Sequence, residues 1–493
     1  MAQHQVELVA TEGLFIGLAK QNMLFHQCIS ELIDNSIAST RHNEKFRIEI
    51  IFEEDQKNKE TIGVYIVDNG SGMTLETLGD ALQLGRKPPE EANRLNEHGF
   101  GLKNALATLT RGKGYWKLWT KNDNEKISSV SGPFGPTMTL EDNDNFPKKD
   151  FLPSDISTLV YVETPIDFIR SVQGRGRTTN NLEILRTWLI EHLGVLYRGY
   201  LEQDKVNFEE SGTIIVSIGK NRKKVNPINV PIGNAQVEYI NIELGGEIYQ
   251  LEYIFGTLDK VKRDQLVSGT ATKYYYLNNI PTQGIDIRLG KRTIATSLLE
   301  TIWTSTNGTS RLSRHNDYND FVGELRIPEL PRGILTTVNN KTDFNLDDPD
   351  WHLIFDELNK FKPPKKVREQ TEDGLRKKWE KMLRATNPED NVVPKHATWP
   401  TGVEIDVFRE KENNDIIIYE LKVGQAAPIN LYQLMMYWDG LEIEGKIPKE
   451  AVLLVESYSD AIENMVNIIN TKLKTPNSGS YNFKLETHSN KNL

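Results

Sequence analysis

A single cysteine, Cys28, stands in a chain of 493 residues. No internal disulfide can form, and a reducing compartment is the expected home. Cys28 lies inside an apolar helical pattern, so it reads as a small buried core residue rather than a nucleophile. No run approaches the roughly eighteen consecutive apolar residues of a membrane-spanning helix, so neither a span nor a membrane partner is expected. The opening MAQHQVELVATEGL lacks a basic start leading into an apolar stretch. No secretory leader is expected there, and a cytoplasmic location is. The nine histidines form no His-x-x-x-His pair and no His/Cys group at zinc spacing. There is no Gly-x-Ser-x-Gly elbow and no Walker A loop, which sets aside two common routes to hydrolysis and phosphate binding. Net positive charge is missing too. A formal charge of −10 excludes coating of nucleic acid by bulk charge and leaves any recognition to local patches. Arg170, Arg175 and Arg177, the run from Lys220 to Lys224, and the run from Lys360 to Arg368 are such patches. Each by itself reads as a solvated loop or hairpin tip.

What is present is length and periodicity. The chain is too long for one core, so several domains are expected. Residues 18–40 place Leu24, Ile29, Leu32, Ile33 and Ile37 at three- and four-residue steps, the pattern of an amphipathic helix. FRIEIIFEE and TIGVYIVDNGSGM read as strands, TLETLGDAL as a helix, GRKPPEEANRLNEHGFG as a long loop, and LKNALATLTRG as a helix stopped by Gly112. Beyond residue 175 come a long helix and the β-rich runs TIIVSIGK, EYINIEL, EIYQLEYIFGTL and KYYYLNNIPTQGIDIRLGKRTIAT. Pro363 and Pro364 then predict a stiff connector. The C-terminal part reads as a helix, the strands GVEIDVFRE and DIIIYELKVG, the helix INLYQLMMYWDGL and the strand VLLVES, with NSGSYNF as a hairpin turn. The expected architecture is a multidomain α/β protein. An α/β sandwich with a mixed sheet spans residues 1–174, a second α/β domain 175–345, a helix and linker 346–368, and a third α/β domain 369–493.

Three short motifs follow one another in the first part. ELIDNS puts Glu31 and Asn35 four residues apart on one helix face. The amide oxygen suits Mg²⁺, and the carboxylate can orient or deprotonate a water. VDNGSGM puts Asp68 at a strand end, where a carboxylate can accept from an exocyclic amine, and its glycines, Gly70 and Gly72, let a base approach the backbone. HGFGLKNAL places Gly99, Phe100, Gly101, Leu102 and Lys103 at a helix start, where N–H groups and the helix dipole suit phosphates.

Together and in this order the motifs resemble the GHKL superfamily, the Bergerat-fold ATPases of the gyrase, MutL and MORC type. The resemblance covers residues 10–165 and implies ATP and Mg²⁺ as cofactors. It implies Glu31 as the base for ATP hydrolysis and Asn35 as the Mg²⁺ ligand. Asp68 would read the adenine amine, with Gly70, Gly72 and Met73 shaping the base pocket. Leu84 to Gly101 would be the lid, and Gly99, Phe100, Gly101, Leu102 and Lys103 would contact phosphates. Thr158 would stand on the strand behind the adenine. Asp34 is left open between a further site acid and a structural acid bonded to a nearby Arg or Lys. TVNNKTDF resembles the MORC-type segment in which a lysine reaches the γ-phosphate, here Lys341. The same likeness implies that residues 175–345 are an S5-like transducer and that ATP drives homodimerisation, with residues 1–15 as a candidate exchanged arm.

The C-terminal part carries a second constellation. Glu420 and Lys422 alternate onto one side of a strand, and Asp406 lies on the preceding strand of an expected hairpin. Two acids can hold one or two Mg²⁺ ions, and a lysine beside them can orient water or stabilise a charged phosphate. This resembles the PD-(D/E)XK nuclease fold of restriction and RecB-like enzymes. Gln433 and Tyr437 sit where RecB-like members carry Gln-x-x-x-Tyr. Glu372, preferred to Glu369 and Glu380, is the acid expected on the leading helix, and Glu404 shares the strand face of Asp406. Mg²⁺, or Mn²⁺ in its place, is the expected metal, held by Asp406 and Glu420. The combined reading is an ATP-dependent DNA endonuclease in which a MORC-like ATPase gates a restriction-type nuclease. DNA is the expected partner, with a defence-system subunit as a further one if the role is anti-phage defence. The alternatives are an ATP-dependent DNA clamp with an inactive nuclease fold and a heat-shock-type chaperone. A histidine kinase is disfavoured, because no phosphoacceptor histidine helix is found.

Overall fold

The computed structural model describes residues 12–20, 22–42, 44–53, 60–84, 95, 99–122, 126–174, 178–203, 211–267, 269–303, 312–336, 348–364, 371–399 and 402–488. The chain divides into two compact units, Met1–Lys366 and Val367–Leu493.

The first unit is built on two sheets. The larger holds β1 (Phe46–Glu53), β2 (Thr61–Asp68), β3 (Trp116–Lys121), β4 (Ile127–Ser131), β5 (Leu140–Asp142), β6 (Thr158–Pro165), β7 (Gly212–Ile218) and β8 (Asn221–Lys224). Their spatial order is β5-β4-β3-β6-β2-β1-β7-β8, and only the β1–β7 pairing is parallel. With it come the helices α1 (Glu12–Leu18), α2 (Phe25–Ala38), α3 (Leu75–Leu82), α4 (Gly101–Leu109), α5 (Ile166–Ile169), α6 (Leu182–Leu196) and α7 (Arg198–Leu201). One face of the sheet buries Ile48, Ile50, Val64 and Ile66 in a core with Phe25, Ile29 and Ile33 of α2 and Leu106 of α4. The other face is closed by the loop residues Phe146, Phe151 and Leu152 over Tyr65 and Trp119.

Two sequence expectations shift here. The helix expected over 18–40 begins only at Phe25, because Leu24 is extended and its N–H is taken by the Gln27 side chain at 2.7 Å. The first sheet also runs past residue 174. Trp188, Leu189 and Leu193 of α6 pack into its core, and β7 and β8 extend its edge beside β1.

The second sheet holds β9 (Ile232–Leu244), β10 (Glu247–Leu258), β11 (Gly284–Leu289), β12 (Arg292–Leu298) and β13 (Phe321–Ile327), in the order β12-β11-β13-β10-β9. The short helix α8 (Lys260–Arg263) follows β10, and α9 (Pro349–Asn359) buries Trp351, Ile354, Phe355 and Leu358 in the core of this sheet. The tyrosine run expected as strand is a loop instead. Tyr276 and Asn278 take positive φ, and Glu191 of α6 accepts the N–H groups of Lys273, Tyr274 and Tyr275, so those groups are lost to any ladder.

The second unit is one sheet between helices. Strands β14 (Asn391–Thr398), β15 (Val403–Glu410), β16 (Ile416–Leu421), β17 (Pro448–Val455) and β18 (Phe483–Thr487) lie in sequence order. The first three are antiparallel and the last three parallel. Helix α10 (Glu372–Thr386) packs Leu375, Trp379 and Leu383 on one face. Helices α11 (Pro428–Ile443) and α12 (Asp460–Lys472) pack Leu434, Trp438 and Val466 on the other. Every residue of β16 is buried, as a central strand requires. β14 escapes sequence reading because Pro394 interrupts it, and a proline is tolerated there because the strand is at the edge. The NSGSYNF turn is no hairpin: it joins α12 to β18, which pairs in parallel with β17.

Candidate functional site

The three N-terminal motifs meet. Ser36 of α2 donates to the Asp68 carboxylate at 2.8 Å, which ties the end of β2 to the helix carrying Glu31 and Asn35. A Cβ on Gly101 would lie 2.1 Å from Glu31 Oε2, so the first turn of α4 rests directly on that carboxylate. A side chain there would have to push the Glu31 carboxylate aside. Glu31 and Asp34 are buried, while the half-exposed Asn35 amide makes no hydrogen bond among the described residues. Gly72 is fixed for two reasons: its φ is +67°, and a Cβ would come 1.8 Å from Lys121 O. Gly70 N–H donates to Asp68 at 2.9 Å, and the next residues are held by a bond from Met73 N–H to Thr120 Oγ1 at 2.8 Å. Thr158, opposite Asp68 on β6, brings its hydroxyl to 3.3 Å from that of Thr120.

Burial pushes the Asp68 carboxyl up to about 6, while Gly70 N–H, the Ser36 hydroxyl and the Thr158 backbone favour its charged form. Gly99 takes φ +65°, Phe100 caps α4, and Leu102 packs against the core. Lys103 is buried, and its ammonium donates to Ala81 O and Gln83 O at 2.9 and 3.1 Å. Burial lowers it to about 8. Its side chain thus holds the C-terminal end of α3, a tie that the motif gave no reason to expect. Of the expected lid, 85–94 and 96–98, including His98, lie outside the described residues, as does Lys341.

Asp34 has its answer in the second sheet. Arg292, the first residue of β12, donates to Asp34 Oδ1 at 3.1 Å and lies 4.4 Å above the Tyr197 ring, whose hydroxyl is 2.7 Å from the same oxygen. Nothing in the local sequence marked Arg292 or Tyr197, because their meaning lies in a contact spanning 258 residues.

Residues 23–130 match the family of histidine kinase-, DNA gyrase B- and HSP90-like ATPases. The first unit therefore carries a GHKL-type ATPase-like domain, and its mixed-sheet α/β architecture fits that fold. The matched stretch contains Glu31, Asn35, Asp68, Gly72 and the 99–103 loop, and ends before Thr158 and Lys341. No curated protein matches the chain. Among the described residues, no helix is long and apolar enough to cross a membrane.

Outside this ATPase-like domain, the second unit gathers Asp406, Glu420, Lys422 and Glu372. Lys422 Nζ lies 2.9 Å from Glu420 and 3.4 Å from Glu372 at the start of α10. Asp406 accepts from Leu421 N–H at 2.8 Å, which locks β15 to β16 beside the acid. Glu420 is 1% exposed, and its Oε2 has no close hydrogen bond. Burial and the neighbouring Asp406 push its carboxyl up to about 7, against Lys422 and the facing Tyr437 hydroxyl. Despite burial, Glu420, Glu372 and Asp406 hold Lys422 above its usual value. Gln433 receives a bond from Asn430 at 3.2 Å, Glu404 pairs with Lys395, and Glu380 with Arg384. Glu369 lies outside the described residues. Among the described residues, no group of three or more histidine, cysteine, aspartate or glutamate side chains is arranged to hold a metal ion.

Four members of the basic runs sit in ion pairs. Lys220 pairs with Asp150, Arg222 with Glu49, Lys223 with Glu183 and Lys360 with Glu357. Arg175, Arg177 and residues 365–368 lie outside the described residues.

Proposed function

We propose that the chain is an ATP-driven, Mg²⁺-dependent nucleic-acid enzyme, in which a hydrolytic ATPase gates a DNA endonuclease. The observation that carries the first half is the seating of Glu31 against the first turn of α4, with Asp68 bonded to the same helix. In this reading Glu31 takes the proton of the attacking water. Asp68 accepts from the adenine amine, with Gly70, Gly72 and Met73 around the base and Thr158 behind it. The N–H groups of Gly99 to Lys103 receive the phosphates at the start of α4. Asn35, on the face of Glu31 and with its amide uncommitted, fits a Mg²⁺ ligand, and the ion would neutralise phosphate charge. Lys341 would sense the γ-phosphate, with residues 175–345 acting as transducer and ATP closing a homodimer.

At the second cluster Asp406 and Glu420 would hold Mg²⁺ or Mn²⁺, which would polarise a phosphodiester. The surplus of acid over base around Glu420 supports that fit. Lys422 would orient the attacking water, Glu372 would hold Lys422, and Gln433 and Tyr437 would line the site. Two carboxylates leave the remaining metal positions to water and phosphate, as suits Mg²⁺. A cytoplasmic anti-phage role, with a defence partner subunit, fits such a pairing of ATPase and nuclease.

A second reading is a DNA clamp that does not cut. It is favoured by the engagement of Lys422 with two carboxylates. Plasmid cleavage separates the two, measured with Mg²⁺ or Mn²⁺, with and without ATP, for wild type and Lys422→Ala. Cleavage lost in Lys422→Ala supports the nuclease. DNA binding with no cleavage by either protein leaves the clamp.

A further inference from the structure

The ATP-site helix is gripped from the second sheet at one buried point. The β11–β12 hairpin turns at Gly290, whose φ is +56°. Its tip presses so closely on α7 that a Cβ on Gly199 would come 2.6 Å from Lys291 O. That docking delivers Arg292, 4% exposed, into the space between α2 and the end of α6. There it meets Asp34 and Tyr197 as described, and the Tyr197 hydroxyl also lies 2.9 Å from Ser30 O, the residue before Glu31. Asp34, Asp68 (through Ser36) and Glu31 (through Gly101) thus fix three sides of one helix. Arg292 also feels the charge of Glu31.

The hairpin is not free to move alone. Asp286 on β11 and Glu324 on β13 hold Arg198 of α7 at 2.9 and 2.7 Å, all three buried. His26 of α2 stacks on His192 of α6 with ring centres 3.8 Å apart. Helix α2, the α6–α7 segment and the hairpin of the second sheet are therefore one continuous buried set.

We infer that Arg292 is a positioning residue for ATP hydrolysis: through Asp34 it fixes the helix that carries Glu31, so the β11–β12 hairpin sets whether that carboxylate occupies its working place. The inference rests on the reading of Glu31 as the hydrolytic base. It gives the second sheet a route to the nucleotide site distinct from Lys341.

The test uses the full chain as wild type, Arg292→Met, Arg292→Lys and the double variant Asp34→Asn/Arg292→Met. Steady-state ATP turnover, equilibrium binding of a fluorescent ATP analogue and hydrogen exchange of the α2 amides are measured on each. Arg292→Met should lower kcat by about 100-fold, the scale of a misplaced catalytic group, with nucleotide affinity held within about threefold. Arg292→Lys keeps the charge but not the planar fork, and should return to within about tenfold of wild type. The α2 amides should exchange faster in Arg292→Met. Should that variant fail to fold, the double variant removes the uncompensated buried charge and should show the same loss of kcat. A kcat within about twofold of wild type in the Met or double variant overturns the inference. So do equal losses of affinity and turnover with Lys no better than Met, which mark a merely structural part. A wild type without turnover sinks the reading of Glu31 instead. In that case the exchange data decide the grip, and unchanged α2 exchange overturns it.

Discussion

Asp68 and Glu420 are both carboxylic acids buried at the end of a sheet strand and both raised by that burial, but different neighbours surround them. Asp68 receives Ser36, Gly70 and the Thr158 backbone, and burial still moves it up to about 6. Its pocket is defined by shape: at Gly70, Gly72 and Gly101 a side chain would collide with neighbouring atoms. Glu420 stands beside a second acid, with Lys422 as its nearest counter-charge, and it is moved to about 7. Its cluster is defined by charge, and the nearby Gly424 has open space around its Cβ position. On the proposed reading, the first site would take a neutral, shaped ligand edge and a phosphate tail. The second holds a negative surplus that an added cation would relieve.

Gly101→Ala attacks this contrast most strongly. The new methyl must displace Glu31 or α4, so ATP turnover should fall by about 100-fold. Stability should fall by about 1–3 kcal/mol, read by steady-state ATPase assay and denaturant unfolding. Gly424→Ala, in open space, should change neither DNA cleavage nor stability. A harmless Gly101→Ala would show that the first site is not limited by shape.

The pH response of Glu420 comes next. Folded, it keeps its proton up to about 7, whereas unfolded it loses it near the ordinary value of about 4.5. Between those values the folded state binds more protons, so stability must fall as pH rises and level off above 7. The total is roughly 3 kcal/mol. Hydrogen exchange at β16 in the metal-free protein should show the decline, and Glu420→Gln should flatten it. Mg²⁺ should restore protection at pH 8 and do little at pH 5, because the metal needs the carboxylate. A decline that persists in Glu420→Gln would assign it elsewhere.

Asp68 should give the smaller response. An amine donor bonds more strongly to its charged form, so nucleotide affinity should tighten as pH rises through about 6 and then level. The gain from pH 5 to 7 should be about tenfold beyond that of Asp68→Asn, read by titration with a fluorescent ATP analogue. Parallel curves for the two proteins would remove Asp68 from adenine recognition.

The elements that sequence reading found are those whose signal is local. The apolar spacing of α2 and the buried run of β16 carry their own periodicity, and the three closely spaced motifs fall on α2, β2 and α4, which the fold brings into contact. Elements whose cause is distant were illegible. β14 hides behind Pro394 and exists because β15 offers it an edge. The tyrosine run 274–276 has strand composition, yet Glu191 draws its N–H groups into a loop. Asp34 could be read as an acid seeking a base, but Arg292 lies 258 residues away and only the fold brings them together. Helix phase alone singles out Glu372, and its place near Lys422 depends on how α10 crosses the sheet.

The most direct test of the whole account is ATP turnover by the full chain beside Glu31→Ala, with nucleotide binding measured on both. The account predicts that wild type hydrolyses ATP, and that Glu31→Ala binds nucleotide with affinity within about threefold while turnover falls by about 100-fold or more. Retained turnover in Glu31→Ala would contradict it. Loss of nucleotide binding in that variant would do so as well, by making Glu31 a structural support of α4.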